Sequence, residues 1–326
     1  MQGLKNLGAT CAINSLIQII CRNKYLRESI IDSDIGDNTF TIELKELLKI
    51  MHIDNNSVSP NKFITKLFNI FNDNFQYGQQ IDITELYFLT FDKIFNETNI
   101  SIPKLIYDKR YDNMKLNDNL INEKANYIIN NINNFKINKL QENTQGVILN
   151  IIECNDCNYS SYNFEPFIAL QLDLPNNNDE NISLTELLRH YLKPVTEKTG
   201  WVCEKCKKST VHTKSFKLWS LPNVLIFLIK RYNLNSKNNK PVDINQNINI
   251  RKGCILVDND LEMKYNINSI GMHIGNLDSG HYFAICKNET DNKFILYDDL
   301  NIKIFNKDNK NFLKKNSEAY MVVYSI

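Results

Sequence analysis

Residues 3–20 read GLKNLGATCAINSLIQII. A turn-forming run with two glycines ends in Thr10 and Cys11, and an apolar pattern of helical period starts at once. Ile13, Leu16, Ile17 and Ile20 stand at i, i+3, i+4 and i+7. A helix beginning at residue 11 or 12 sets the Cys11 sulfur beside unpaired N–H groups and the positive end of the helix dipole, which favours the thiolate. Gly8 lets the backbone pass close to whatever the thiol attacks. The Asn6 amide, a few residues upstream, can swing back beside the sulfur. A small buried cysteine capping an ordinary core helix fits the same pattern, so a partner must decide.

HIGNLDSGHYFAICK, residues 273–287, offers one. His281 follows a glycine and opens an aromatic-aliphatic strand. KFILYDDL, residues 293–300, then places Asp298 and Asp299 at the end of what reads as the next strand of a hairpin. An imidazole on one strand can take the thiol proton while a carboxylate on the next fixes its tautomer. A lone strand histidine is commonly structural; the glycine, the acid pair and the candidate thiol favour chemistry.

The rest of the chain sets the frame. With 326 residues, 43% apolar and 23% charged, it can bury a core as one large domain or two ordinary ones. A net charge of +1 with no basic stripe argues against nucleic acid and anionic membrane as partners. The longest apolar run, VLIFLI at 224–229, is too short to span a bilayer. The N-terminus lacks the plan of a signal peptide, so a soluble intracellular protein, cytoplasmic or nuclear, is expected. Heavy use of Asn, Lys and Ile reads as coding bias, which makes the sequons Asn96–Thr98 and Asn288–Thr290 chance events.

Residues 12–100 read as helical, with further stripes over Ile42–Ile50 and Phe63–Phe71. Residues 101–140 read as an insertion with one helix around Ala125–Ile132. From Val147 onward, short β-branched or aromatic runs read as strands. SLTELLRHYL at 183–192 interrupts them with a helix begun by a Ser183/Glu186 capping box. The Asn-rich stretches 176–181 and 233–248 read as surface loops. Helices first and strands after define an α+β class, and no fixed-period repeat appears.

Eight cysteines are present, and four are organised as Cys154–Cys157 and Cys203–Cys206, with 45 residues between the pairs. Two thiolates on each of two strand turns suit a closed, structural tetrahedral Zn²⁺ site. Cys21, Cys254 and Cys286 read as core residues.

The stretches GLKNLGATCAINSLIQ, SGHYFAICK and FILYDDLNI together resemble the Cys and His boxes of the ubiquitin-specific proteases, papain-like deubiquitinating enzymes. DITEL (82–86), CNDCNYSSYNFEPFIALQLDLP and WVCEKCKKSTVHTKSFKLWSLPNVLIFLIKRY resemble that family's acidic box, finger and palm segments, in the same order. The resemblance runs from residue 3 to about 324. It implies a papain-like cysteine protease fold in a single catalytic domain over 1–326: a thumb over about 1–125, zinc-bearing β fingers over about 147–215, and a palm over about 126–146 and 216–326. It makes Cys11 the nucleophile, His281 the base and then acid, Asp298 the orienter, Asn6 the oxyanion donor and Asp299 a supporting acid. His273 matches a second, structural histidine. Asp82 and Glu85, three apart and on one face if helical, match acids that meet the arginines of ubiquitin's C-terminal tail. The implied activity is thiol-dependent hydrolysis of the isopeptide or peptide bond after ubiquitin's Gly-Gly, through a thioester. The implied partners are ubiquitin and ubiquitinated proteins, and the enzyme is expected as a monomer. A protease for another ubiquitin-like modifier and a non-catalytic ubiquitin-binding scaffold stand as alternatives. Ala12 and Ile81 depart from the family's usual aromatic and glutamine. The chain starts almost at the Cys box, so no N-terminal extension is expected.

Overall fold

The computed structural model describes residues 2–37, 39–53, 58–109, 120–175, 182–232, 236–251, 262–276, 279–305 and 311–326. Five helices come first: α1 (Cys11–Cys21), α2 (Lys24–Ile31), α3 (Phe40–Ile53), α4 (Asn61–Ile70) and α5 (Ile83–Thr98). Three of them start at identifiable side-chain caps. Asn23 caps α2 by accepting from the Leu26 N–H, and Asp82 caps α5 by accepting from Thr84 and Glu85. Glu97, at the far end of α5, reaches across to cap α3, accepting from the Thr41 N–H at 2.8 Å, its hydroxyl at 2.7 Å and the Phe40 N–H at 3.2 Å.

Beyond the helical lobe lie β1 (Ile100–Ser101), α6 (Ile121–Ile132), β2 (Lys136–Ile137) and α7 (Lys139–Thr144). Next come β3 (Gly146–Cys154), β4 (Ser160–Phe167), β5 (Leu170–Asp173), β6 (Ile182–Ser183), α8 (Leu184–Leu192), β7 (Val195–Glu197) and β8 (His212–Ser220). The chain ends through β9 (Val224–Lys230), β10 (Val242–Asp243), β11 (Asn247–Arg251), β12 (Glu262–Gly275), β13 (Gly280–Lys287), β14 (Phe294–Asp298), β15 (Asn301–Ile304) and β16 (Ala319–Ser325). The large sheet runs β15-β14-β13-β12-β16-β9-β5, with β11 also on β12; the smaller runs β4-β3-β8-β7.

α1 lies between the helical lobe and the large sheet, packed on β12, β13 and β14 as well as α2, α3 and α5. All of its residues are therefore buried, including Asn14, Ser15 and Gln18. Its apolar stripe is the centre of the main core; Ile17 and Ile20 are 2% and 1% exposed, and each such side chain contributes about 1.5–3 kcal/mol on burial. The buried polar groups need partners: Gln18 Nε2 donates to the Gln2 carbonyl at 2.7 Å. The Arg27 guanidinium makes a bidentate pair with Glu289 at 2.8 and 3.1 Å, tying α2 to the loop after β13. A second core lies between the other face of the sheet and α8, and a third between α6 and the small sheet.

The α+β order expected from the sequence is present, as are the capping box on α8 and the helix around 125–132. Three placements differ from the sequence reading. Within the expected finger segment, β5 and α8 pack with the large sheet, because Leu170 and Leu172 pair alongside β9 and share its core. α6 buries Ile121 and Ala125 under the small sheet. The stretch 233–248 carries β10 and the start of β11 rather than loop alone. The 176–181 loop and Cys254 lie outside the described residues.

Candidate active site

The segment ahead of α1 is threaded across the β14–β15 turn. The Leu4 N–H donates to the Asp299 carbonyl at 2.9 Å. A Cβ on Gly3 would stand 2.6 Å from that same oxygen, so only glycine fits the crossing. Gly8 (φ +104°) and Ala9 (φ +54°) both take left-handed conformations that fold the loop back. Asn6 Oδ1 holds the fold, accepting from the Gly8 N–H at 3.0 Å and from the Thr10 N–H and hydroxyl, each at 3.2 Å. α1 then begins at Cys11, as the sequence predicts.

Cys11 is 5% exposed. Its sulfur is approached by the backbone N–H groups of Tyr282, Ala12 and Cys11 itself. These donors favour the thiolate, but burial outweighs them and the nearby Asp299 carboxylate works against them, so the thiol is held above its ordinary value. The helix start favours the thiolate, as the sequence suggests, but burial is the larger effect on Cys11. A base is needed to take the proton. His281 is the residue before Tyr282, whose backbone N–H approaches the Cys11 sulfur, at the start of β13. Its Nε2 is 2.5 Å from Asp298 Oδ1 at the end of β14. That bond uses Nε2 as donor and leaves Nδ1 as the free ring acceptor.

Asp299 turns the other way. It sits at φ +52°, and its Oδ2 accepts from Asn6 Nδ2 at 2.9 Å while its Oδ1 accepts from Asn14 Nδ2 at 2.7 Å. One Asn6 amide hydrogen is engaged there and a second remains on the same nitrogen. The sequence reading missed Asn14; its signal is a polar residue one turn after Cys11 inside an apolar stripe.

Asp82 and Glu85 do not form one solvent-facing pair. Asp82 precedes α5, and its Oδ2 accepts from the Tyr320 hydroxyl at 2.8 Å, while Glu85 is exposed. Gln80, also missed, grips the peptide of Gly280: the Gly280 N–H donates to Gln80 Oε1 at 2.9 Å, and Gln80 Nε2 donates to the Gly280 carbonyl. Tyr77 donates its hydroxyl to the Leu7 carbonyl, so the stretch before α5 touches both the cysteine loop and the histidine strand.

At the far end of the small sheet the four organised cysteines meet. Cys154 and Cys206 sulfurs are 3.9 Å apart and those of Cys157 and Cys203 3.7 Å apart, with all four within 4.8 Å of one another. A tetrahedral Zn²⁺ at about 2.3 Å from each sulfur needs edges of about 3.8 Å, so the set fits. Each pair sits on a matching turn: Asn158 donates to the Cys154 carbonyl and Lys207 to the Cys203 carbonyl, both at φ +55°. The Thr210 hydroxyl, 3.3 Å from Cys154, pulls that thiol down to about 6. Cys206 is pushed up to about 12, with its contact to Cys157 the largest cause. Four thiols side by side cannot all ionise unaided, and a central cation removes the conflict.

The family model described as ubiquitin carboxyl-terminal hydrolase matches residues 2–324, and the chain belongs to that family. It is 22% identical over 345 residues to ubiquitin carboxyl-terminal hydrolase 2 of Homo sapiens, spanning 100% of this chain and 55% of that one. It is 24% identical over 349 residues to the Gallus gallus protein of the same name, spanning 100% of this chain and 93% of that one. The chain thus spans about half the length of its human relative. Among solved structures, the SAGA Ubp8/Sgf11/Sus1/Sgf73 DUB module bound to ubiquitin aldehyde aligns with a TM-score of 0.75 at 20% identity, covering 100% of this chain and 69% of that one. That likeness is one of fold. No helix among the described residues is long and apolar enough to cross a membrane.

Proposed function

We propose that this chain is a thiol-dependent deubiquitinase that cleaves the bond after the C-terminal Gly-Gly of ubiquitin. The observation that carries the reading is the 2.5 Å His281–Asp298 contact, with the neighbouring Tyr282 N–H and Asp299 carboxylate close to Cys11 at the start of α1. His281 Nδ1 takes the thiol proton, and Asp298 holds the ring and offsets the imidazolium charge. The thiolate attacks the carbonyl carbon of the terminal glycine, and the oxygen gains the negative charge. Asn6 Nδ2 and backbone N–H groups at the start of α1 stabilise that oxyanion. Collapse expels the lysine or α-amine, which takes the proton from His281, and leaves a thioester on Cys11. Water, deprotonated by His281, attacks the thioester; free ubiquitin leaves and the thiol is restored.

The substrate tail runs in extended form between the helical lobe and the large sheet, where only glycine passes easily. Glu85 and the remaining acceptor capacity of Asp82 suit the guanidinium groups of that tail. Asp299 supports the reaction by holding Asn6. The small sheet forms the fingers against the globular body of ubiquitin, and Cys154, Cys157, Cys203 and Cys206 hold a structural Zn²⁺ there. That ion's chemistry is cross-linking of the fingertips. The protein acts inside the cell, in cytoplasm or nucleus, as a monomer.

The test is single-turnover release from ubiquitin carrying a C-terminal fluorogenic amide, comparing wild type with Cys11→Ala and His281→Ala. Release by wild type alone supports the reading. Binding of ubiquitin with no release by any of the three would make the chain a ubiquitin-binding scaffold.

A further inference from the structure

Gly280, the residue before His281, is held from two sides. Gln80 grips its peptide from the helical lobe. From the sheet side the ring of His273 lies directly beneath it: a Cβ at position 280 would fall 2.2 Å from His273 Nε2. The hairpin between β12 and β13 is equally tight at Gly275 (φ +122°), where a Cβ would meet the Ser279 carbonyl at 2.4 Å. At Gly275 and Gly280 the backbone therefore has no slack, and the His273 ring is the floor under Gly280.

The far edge of that ring is fixed by the segment following β9. The Tyr232 hydroxyl is 2.6 Å from His273 Nδ1, and Lys237 Nζ is 3.1 Å from the same nitrogen. Lys237 Nζ also donates to the His273 carbonyl at 2.7 Å and to the Gly275 carbonyl at 3.2 Å. An ammonium group has three hydrogens, and all three go to the hairpin that carries His281. Among the ion pairs of the described residues none includes Lys237. Its charge is partly withdrawn from water, with the Glu318 carboxylate near but in no ion pair with it among the described residues. Around His273 stand Lys237 and Tyr232 from this segment, Tyr282 and His281 from β13, Asp82 from the start of α5, and the Glu318 carbonyl, which accepts from the His273 N–H at 2.9 Å.

We propose that Lys237 is a positioning residue for His281. By tying the His273 ring, the end of β12 and the Gly275 turn into one block, it sets through Gly280 where the imidazole stands relative to Cys11. This rests on His281 being the base of Cys11. Burial and then the Lys237 charge hold the His273 ring neutral, down to about 4, so its Nδ1 is an acceptor at neutral pH.

The test reads the thiol directly and needs no ubiquitin. The full chain is alkylated with iodoacetamide across about pH 5 to 9, bracketing the ordinary His and Cys ranges. The Cys11 peptide is quantified by mass spectrometry for wild type, Lys237→Met, Lys237→Arg, Tyr232→Phe and His281→Ala. Wild type is expected to react at lower pH than His281→Ala. Lys237→Met should move most of the way towards the His281→Ala profile, with a loss of about tenfold at neutral pH. Lys237→Arg, which keeps donors for the carbonyls, should recover part of it. Turnover of the ubiquitin amide should follow in kcat, with KM changed less than about twofold. Tyr232→Phe removes a single hydroxyl and serves where Lys237→Met folds poorly; it should shift the profile in the same direction. Superimposable wild-type, Lys237→Met and Tyr232→Phe profiles would overturn the proposal. A wild-type profile equal to that of His281→Ala removes the base assignment itself, and the proposal falls with it.

Discussion

The amide nitrogen of Asn6 and a carboxylate oxygen of Asp299, 293 residues apart in the chain, lie 2.9 Å from each other. Asn14 holds the second oxygen of that carboxylate at 2.7 Å. Asp299 is thus a bridge from the first turn of α1 to the loop in front of it, and it aims the Asn6 nitrogen. Removing Asn6 as Asn6→Ala is expected to cost about 2.7–4 kcal/mol of transition-state stabilisation. Asn14→Ala leaves Asp299 short of a donor and should cost about 1–3 kcal/mol of stability. Turnover of the ubiquitin amide and a denaturant midpoint measure the two separately. Unchanged kcat in Asn6→Ala would remove its oxyanion role.

Asp298 has a different task from its neighbour, since its contact is the His281 ring alone among the hydrogen bonds of the described residues. Asp298→Asn can present an N–H to Nε2, which favours the tautomer with its proton on Nδ1 and blocks that nitrogen as a base. A loss of about 10²–10⁴ in kcat is expected. An equal loss of ubiquitin affinity, measured with Cys11→Ala as background, would argue for a structural role instead.

Ala9 carries a side chain in a left-handed conformation, φ +54°. Such strain costs about 1–2 kcal/mol, while glycine there loosens the unfolded chain by about 0.4–1 kcal/mol. Ala9→Gly should therefore gain somewhat less than about 1 kcal/mol, and Ala9→Val should lose stability. Thermal melts of the two variants against wild type decide it; a stabilised Ala9→Val would contradict the conformation.

Glu97 gives a pH-dependent helix cap. Burial opposes its charge, but the Thr41 and Phe40 donors prevail and hold its carboxyl below the ordinary value. A depressed folded value means that its stabilisation is present above the unfolded value and lost as pH falls through the folded one. Glu97→Ala is expected to cost about 1–2 kcal/mol near neutral pH. Its stability curve should converge on wild type under acid conditions. Parallel curves down to low pH would show that Glu97 does not cap as a carboxylate.

The four-cysteine cluster should bind one Zn²⁺ per chain, measurable by elemental analysis. Chelation or Cys154→Ser should lower the melting temperature and expose the fingertip thiols to titration by a disulfide reagent. Melting and thiol counts insensitive to chelator would argue that the cluster is held by packing alone.

The positions of Cys11 at the start of α1, His281 on β13 and Asp298 on β14 are legible because each sits in a short stretch whose local pattern, turn then helix or glycine then strand, is itself the signal. The residues that went unread act over distance. Gln80 meets Gly280 across 200 residues and Asn14 meets Asp299 across 285, and no local pattern marks either. The burial of Cys11 is non-local in the same way: the helix start can be read from sequence, but the packing of β13 against α1 that buries the thiol cannot. β5 was read correctly as a strand, yet its membership in the large sheet depends on pairing with β9, more than fifty residues away.

The threading of residues 3–6 over the β14–β15 turn also governs timing during synthesis. Both ends of the site close only through contacts of the widest sequence separation, which form late in folding. During synthesis Cys11 is made long before His281 and Asp298. The chain made before β13 and β14 therefore carries this thiol without His281 or Asp298 beside it.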